Sequence, residues 1–337
     1  MGKSGRSMFI YEKMPSIISS FAVVGTKEGK GPIGNSFDMV LDDDRFDENT
    51  WEKAESKMQK EAVYGALRKA GLSTKDIDII CAGDLLNQCI SSAYGLREMA
   101  IPFLGLYGAC STMAESLFIS SMAIAGNFAD KCIAVTSSHF CSAERQFRFP
   151  LEYGGQRTPS AQWTVTGSGA AVIAMGDYPK SPKIKRVLAG KIIDLGIKDA
   201  NNMGAAMAPA AADSFLRYFE NSGTSPSDYD LIVTGDLGRI GSDLLKELAY
   251  KQGYPLGNNY TDCGIEIFDL EKQDVHSGGS GCGCSASVLC GHILPQMVSG
   301  KYKNILFAAT GALMSTVSSQ QGESIPGICH IINIVME

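Results

Sequence analysis

The sequence predicts a duplicated α/β fold, with one sheet built by each half of the chain and both sheets stacked on a shared layer of buried helices. Three observations predict it. First, "GLSTKDIDIICAGDL" (71–85) and "GTSPSDYDLIVTGDL" (223–237) share one pattern at an offset of 152 residues, and internal repetition is the most direct architectural signal a sequence carries. Second, "CSTMAESLFISSMAIAGNFADKCIAVTSS" (110–138) matches "CSASVLCGHILPQMVSGKYKNILFAATGA" (284–312) at an offset of 174; the 22 extra residues fall around "NNYTDCGIEIFDLEKQDVHSGG". Third, the strand candidates are continuous apolar runs rather than alternating ones, as expected of sheets covered on both faces. The seam between the halves falls at 179/180, giving units 1–179 and 180–337.

In the first half the strands are expected near 16–24, 77–82, 102–107, 131–137 and 164–175. In the second they are expected near 184–194, 229–234, 263–268, 303–310 and 328–336. Residues 50–70 carry Trp51, Ala54, Met58, Ala62, Ala66 and Ala70 at helical spacing, with Asn49 as N-cap and Glu52 three residues on. The counterpart helix, 209–222, opens with Pro209 at a first helical position and buries Phe215 and Phe219. The run after Cys110, from Ala114 through Ala125, is apolar nearly all round, and Gly126 can end it. That reads as a helix inside the protein.

Of 337 residues, 45% are hydrophobic and 20% charged, enough for a sizeable core and roughly two domains. The net charge of −6, with no basic stripe, excludes nucleic acid as a partner. The first twenty residues lack a secretory h-region. Arg6 stands where a myristoylation signal needs Ser or Thr. No run reaches the roughly 18 apolar residues of a membrane span, so the chain reads as soluble. Ten cysteines without an export signal read as free thiols in a reducing compartment. Cys282-Gly-Cys284 has no second pair at zinc spacing, and "GGSGCGC" and "TGSGAAV" do not fit a dinucleotide loop. Neither a metal nor a cofactor is expected.

The candidate site centres on Cys110. A helix N-terminus favours the thiolate, although a free cysteine is commonly a small packed residue. The N–H groups across Cys110, Ser111 and Thr112 offer an anion site, and His139 follows the fourth strand where it can face a pocket. The connection "SSHFCSAERQFRFPLEYGGQRTP" (137–159) is long enough to be functional. It carries Arg145, Arg148 and Arg157, each able to pair bidentately with a carboxylate; the alternative is a subunit-contact loop. Asp84 and Asp236, from the repeated Gly-Asp-Leu, read as caps of the helices that follow, or, for Asp236, as a pocket group. "NMGAAMAPAAAD" (202–213) brings Met203 to a ligand slot or simply lets helices pack closely. His276, ahead of the glycine-rich loop, could reach back; His292 and His330 read as structural.

A duplicated unit of this order, with a cysteine opening the central helix, resembles the thiolase and ketoacyl-synthase superfamily over essentially the whole chain. That implies a five-layered α-β-α-β-α fold with pseudo-twofold-related halves. More closely, "AGDLLNQ", "YGACST", "AERQFRFPLEYGGQ", "TVTGSGA", "MGAAMAPAAAD", "GGSGCGCSA" and "ESIPGICH" resemble the stage V sporulation protein AD family. This implies a binder of dipicolinic acid, with or without calcium, acting in its uptake into the developing spore. It also implies a place on the cytoplasmic side of the forespore, peripheral to the spore inner membrane, beside other stage V sporulation membrane proteins. In the superfamily the cysteine takes an acyl group, helped by His and Asn or two His from the second half. Here those positions read Gly235 or Asp236, and Ser280 to Cys284. The resemblance therefore implies a scaffold without condensing chemistry, with the catalytic position Cys110 turned to ligand binding. The candidate ligand set is Cys110, Ser111, Thr112, His139, Arg145, Arg148, Met203, Asp236 and Ser280. The alternative is an active acyltransferase in which the helix dipole and His139 or His276 activate Cys110. Superfamily members pair through edge strands of the first half, so a homodimer through "IPFLGLYG" is expected, which would also satisfy an open edge.

Overall fold

The computed structural model describes residues 2–5, 7–147 and 157–337. Five principal strands come from the first half: β1 (Ser16–Val24), β2 (Ile79–Gly83), β3 (Phe103–Gly105), β4 (Lys131–Ser138) and β5 (Gly167–Ala174). Five come from the second: β6 (Lys183–Leu188), β7 (Leu231–Thr234), β8 (Tyr260–Asp262), β9 (Asn304–Ala312) and β10 (Gly327–Val335). They lie in the order β8-β7-β9-β10-β6-β1-β5-β4-β2-β3. In each set the first strand neighbours the last, followed by the fourth, second and third. The pairing senses also repeat. β1/β5 and β5/β4 are antiparallel, as are β6/β10 and β10/β9, whereas β4/β2, β2/β3, β9/β7 and β7/β8 are parallel. The sequence pointed to two separate sheets; the sets in fact touch edge to edge, through the antiparallel pair Lys183 and Ser16.

The principal helices are α1 (Trp51–Ala70), α2 (Ile90–Leu96), α3 (Thr112–Ala125), α4 (Phe140–Phe147), α5 (Met203–Ser222), α6 (Gly238–Lys251) and α7 (Cys282–Val288). The strands are apolar on both faces because each face meets helices. Successive side chains point to opposite sides, so Ile133 and Val135 of β4 join Met58, Ala62 and Leu67 of α1. Cys132 and Ala134 of the same strand join Met113, Leu117, Cys284 and Leu289. On the second set, Ile232, Leu306 and Ile331 pack with Phe215 and Phe219 of α5. The helix α3 touches strands of both sets, β4 and β2 on one side, β9 and β10 on the other. That position explains a helix with no polar face.

The contact of α7 with β5 is closer than side chains allow. A Cβ on Gly169 would lie 2.2 Å from the Ala286 carbonyl oxygen, and one on Gly283 would lie 2.4 Å from that of Gly167. Backbone rests on backbone there.

Several boundaries differ from the sequence reading. Thr50, not Asn49, caps α1, its hydroxyl accepting from the Lys53 N–H at 3.3 Å. The helix α5 begins at Met203 rather than Pro209, because Asn202 accepts the Ala205 N–H and the Ala- and Met-rich turn that follows favours helix. Pro209 therefore lies inside the helix. The strand β6 stops at Leu188, short of the expected 194. The strand expected at 263–268 is instead β8 at 260–262, followed by a helical turn, Cys263–Glu266. Asp262 makes that turn by accepting the Gly264 N–H at 3.0 Å.

Candidate functional site: a cavity over Cys110

A 3-10 turn, Ala109–Ser111, leads into α3, with Ala109 in the left-handed region at φ 51°. The turn uses its own donors. The N–H groups of Ser111 and Thr112 go to the Gly108 and Ala109 carbonyls, and their hydroxyls donate to the same two oxygens at 2.7 and 2.6 Å. The anion site expected across Cys110, Ser111 and Thr112 is thus already filled by the turn itself at its last two residues. Cys110 is buried, 5% exposed, with its sulfur 3.9 Å from Ser280 Oγ.

Behind both lies Asp236, fully buried. Its Oδ1 accepts from Thr310 Oγ1 at 2.9 Å; its Oδ2 accepts from Ser280 Oγ at 3.1 Å and from the Gly281 N–H at 2.9 Å. The Cys110 thiol lies close enough to this carboxylate to feel its charge. Burial pushes the Cys110 thiol well above its usual value, and the neighbouring Asp236 charge pushes it further. Burial raises Asp236 as well, against the pull of its donors. The sulfur stays a thiol at neutral pH.

Asp236 can do this because another carboxylate does its capping. In the first half Asp84 caps as expected, taking the Leu86 N–H at 2.9 Å and the Ser92 N–H and hydroxyl at 2.8 and 2.6 Å. In the second half Asp262, at the end of the neighbouring strand, takes the Leu237 and Gly238 N–H groups at 2.8 and 3.0 Å. Asp236 is left to face Cys110.

Cys110 and Ser280 form the floor of a cavity with about 480 Å³ of empty space, its open mouth included. Leu85, Ala143, Phe147, Met203, Ala312 and Met314 make apolar walls; Tyr107, Glu144 and Thr164 add polar groups. Cys110, Met203, Asp236 and Ser280 therefore come together as the sequence suggested. His139 does not join them. Its Nε2 lies 2.9 Å from the Asp44 carbonyl, its Nδ1 accepts the Cys141 N–H, and its ring lies against Trp51. Arg145 also turns away, pairing with Glu52 in a separate surface recess beside Asn87 and Gln88. Arg157 pairs with Asp274 and lies over the Trp163 ring, and His276 pairs with Asp274 too. Arg148 lies outside the described residues. Among the described residues the cavity lining holds no Arg, Lys or His.

Sequence reading missed Tyr107, Glu144, Thr164 and Thr310. Two left a signal: Tyr107 stands three residues before Cys110, and Ala143, Glu144 and Phe147 share one face of a short helix. Thr164 reaches the site only by pairing with Ser280 in a two-strand ribbon, Trp163–Thr164 against Gly279–Ser280, which no local pattern announces.

Residues 5–335 match the family model described as Stage V sporulation protein AD (SpoVAD). The chain belongs to that family. Stage V sporulation protein AD of Bacillus subtilis (strain 168) is 44% identical over 330 residues, covering 98% of this chain and 97% of that one. Among solved structures, cerulenin-bound OleA of Xanthomonas campestris aligns with a TM-score of 0.63 at 13% identity, covering 97% and 98% of the two chains. The 3-oxoacyl-[acyl-carrier-protein] synthase III of Aquifex aeolicus VF5 aligns at 0.57 and 13%, covering 95% and 99%. These likenesses place the fold with the condensing enzymes. In this member of the sporulation family, the corner at Gly235 and Asp236 and the stretch 280–284 converge on Cys110, bringing Asp236, Ser280 and Gly281. All ten cysteines are free, and no cluster of His, Cys, Asp and Glu suited to a metal occurs among the described residues. No helix among them is long and apolar enough to cross a membrane.

Proposed function

We propose that this protein binds dipicolinic acid in the cavity over Cys110, for its uptake into the developing spore, on a thiolase-like scaffold that carries out no condensation. The observation that carries the reading is the partner of Cys110. Acyl transfer needs an activated sulfur and donors for a developing oxyanion. Here the thiol is buried against a carboxylate, which opposes both the thiolate and an oxyanion beside it. A flat ring suits the walls of Leu85, Phe147, Met203 and Met314. Membership of a sporulation family supports the setting in this reading: the cytoplasmic side of the forespore, peripheral to the inner membrane, beside other stage V membrane proteins. The repeated strand order supports halves 1–179 and 180–337 related by a pseudo-twofold axis in a five-layered arrangement. A homodimer through β3 is supported by its place at the sheet edge, with Phe103 and Leu104 exposed.

Titration calorimetry with sodium dipicolinate, with and without calcium chloride, tests the reading. Saturable heat supports it, and the pair of titrations decides whether calcium accompanies the ligand. Mass spectrometry after incubation with acyl-CoA donors should find Cys110 unmodified; an acyl-Cys110 adduct would replace this reading with an acyltransferase.

A further inference from the structure

Among the described residues, the hydroxyl hydrogens of the cavity's polar side chains point away from the space they line. Ser280 gives its hydroxyl hydrogen to Asp236 at 3.1 Å. Thr164 gives its own to Glu144 Oε1 at 3.0 Å, and the Tyr107 hydroxyl points to the Leu85 carbonyl at 3.4 Å. The Cys110 sulfur lies 3.9 Å from Ser280 Oγ, a contact in which either group can donate. A hydroxyl has one hydrogen, so Ser280, Thr164 and Tyr107 meet the cavity with lone pairs. Turning the Ser280 hydroxyl outward would take a donor from a buried carboxylate, which costs more than an ordinary hydrogen bond gains. A bare carboxylate brings acceptors only and, among the described residues, finds no hydroxyl donor on this floor.

Resting on the dipicolinic acid reading, we infer that the ligand arrives with a proton on the group that meets Ser280 and Cys110, as a carboxylic acid O–H or a ring N–H. A dicarboxylate free in neutral solution has lost both carboxyl protons. Binding then takes one proton from the buffer; it stays on the ligand, shared with Ser280 Oγ, and no covalent bond changes. The cavity therefore selects a protonated monoanion from a pool of dianions, and its occupancy follows pH.

The ionisable groups facing Asp236 are Cys110 from the turn before α3, Asp262 at the end of β8, Cys263 in the turn after it, Cys282 and Cys284 of α7, and Cys329 of β10. Glu144 lies across the cavity. Burial pushes Asp262 up to about 7 and raises Asp236 as well, so the readout must report on the ligand itself as well as on total protons.

Calorimetry with calcium-free sodium dipicolinate at pH 7, in phosphate and in Tris, counts protons from the dependence of heat on buffer. About one proton taken up per ligand is expected, with affinity falling up to about tenfold per pH unit between pH 6 and 8. The ultraviolet difference spectrum of the bound ligand should resemble that of the ligand in acid. Ser280→Ala, which removes the floor acceptor, should weaken binding about tenfold and reduce the proton count. Binding that is independent of buffer and flat from pH 6 to 8 would overturn the inference while leaving dipicolinate as ligand. The same holds for a bound spectrum like that of the dianion. An absence of heat at every pH would remove the ligand reading, and this inference with it.

Discussion

The two Gly-Asp-Leu corners begin from the same three residues and end in different employment. At the first, Asp84 is saturated by the Leu86 N–H and by Ser92, beside the buried carboxyl of Glu55. At the second, Asp262 holds the equivalent backbone, and Asp236 is bound by Thr310, Ser280 and Gly281 beside Cys110. One corner is closed on itself and the other opens on a cavity. The difference comes from one extra carboxylate at the end of β8. A side chain gains a functional role when a neighbour relieves it of a structural one.

If that division holds, changes at the second corner alter ligand binding and changes at the first alter stability. The largest effect is expected from Cys110→Trp, which fills the cavity and should weaken dipicolinate binding more than a hundredfold by calorimetry. Cys110→Ala should stay within about threefold of the parent. Equal losses in the two variants would mean the sulfur itself, rather than the space, is what the ligand needs.

Next comes Asp84→Ala. It strands the Leu86 and Ser92 donors inside the protein, and buried unmet donors cost about 1–3 kcal/mol each. Urea unfolding should show a loss of about 2–4 kcal/mol, with ligand affinity of the folded protein unchanged. A shift in affinity larger than the shift in stability would contradict the separation of the corners.

Glu55 gives the first corner a pH signature. Burial, aided by the Asp84 charge, pushes its carboxyl up to about 8, above the ordinary carboxylate range of an unfolded chain. The folded state then holds a proton that the unfolded state has released. Stability is full below the unfolded value and falls as pH rises towards 8, by at most about 1.4 kcal/mol per unit. Glu55→Gln keeps the group neutral and should flatten the urea midpoint between pH 6 and 7.5, removing about 1–2 kcal/mol of the parent's decline. A parallel decline in the two proteins would place the ionisation elsewhere, for example at Glu28, also buried and pushed to about 8.

The smallest effect belongs to Arg145→Ala. Its pair with Glu52 is half-exposed, and such pairs contribute roughly 0–1 kcal/mol. Calorimetry should find dipicolinate affinity unaltered. A tenfold loss would return Arg145 to the ligand set.

The repeat made much of this architecture legible. With the continuous apolar runs it located nine of the ten principal strands, β1 to the residue, because buried strands between glycine corners are marked by composition alone. It failed at 263–268, where an apolar run suggested a strand and one carboxylate, Asp262, bent the chain into a turn. At the site, Cys110 and Asp236 were readable because the repeat placed them at a helix start and a corner, Met203 because it opens the small-residue stretch 202–213, and Ser280 only through the resemblance. Arg145 and Glu144 show what was not readable. They are neighbours on α4, and the rotation of that helix sends one into the cavity and the other to the surface. Eight residues of sequence contain both outcomes.

The glycine seat between α7 and β5 has a genetic consequence. Every missense change at Gly169 or Gly283 adds at least a Cβ, and the nearest backbone oxygens, at 2.2 and 2.4 Å from it, leave no room for one. These codons therefore have no silent neighbours among the other amino acids. A saturation library should be empty at both, although neither residue lines the cavity and neither has a side chain to lose.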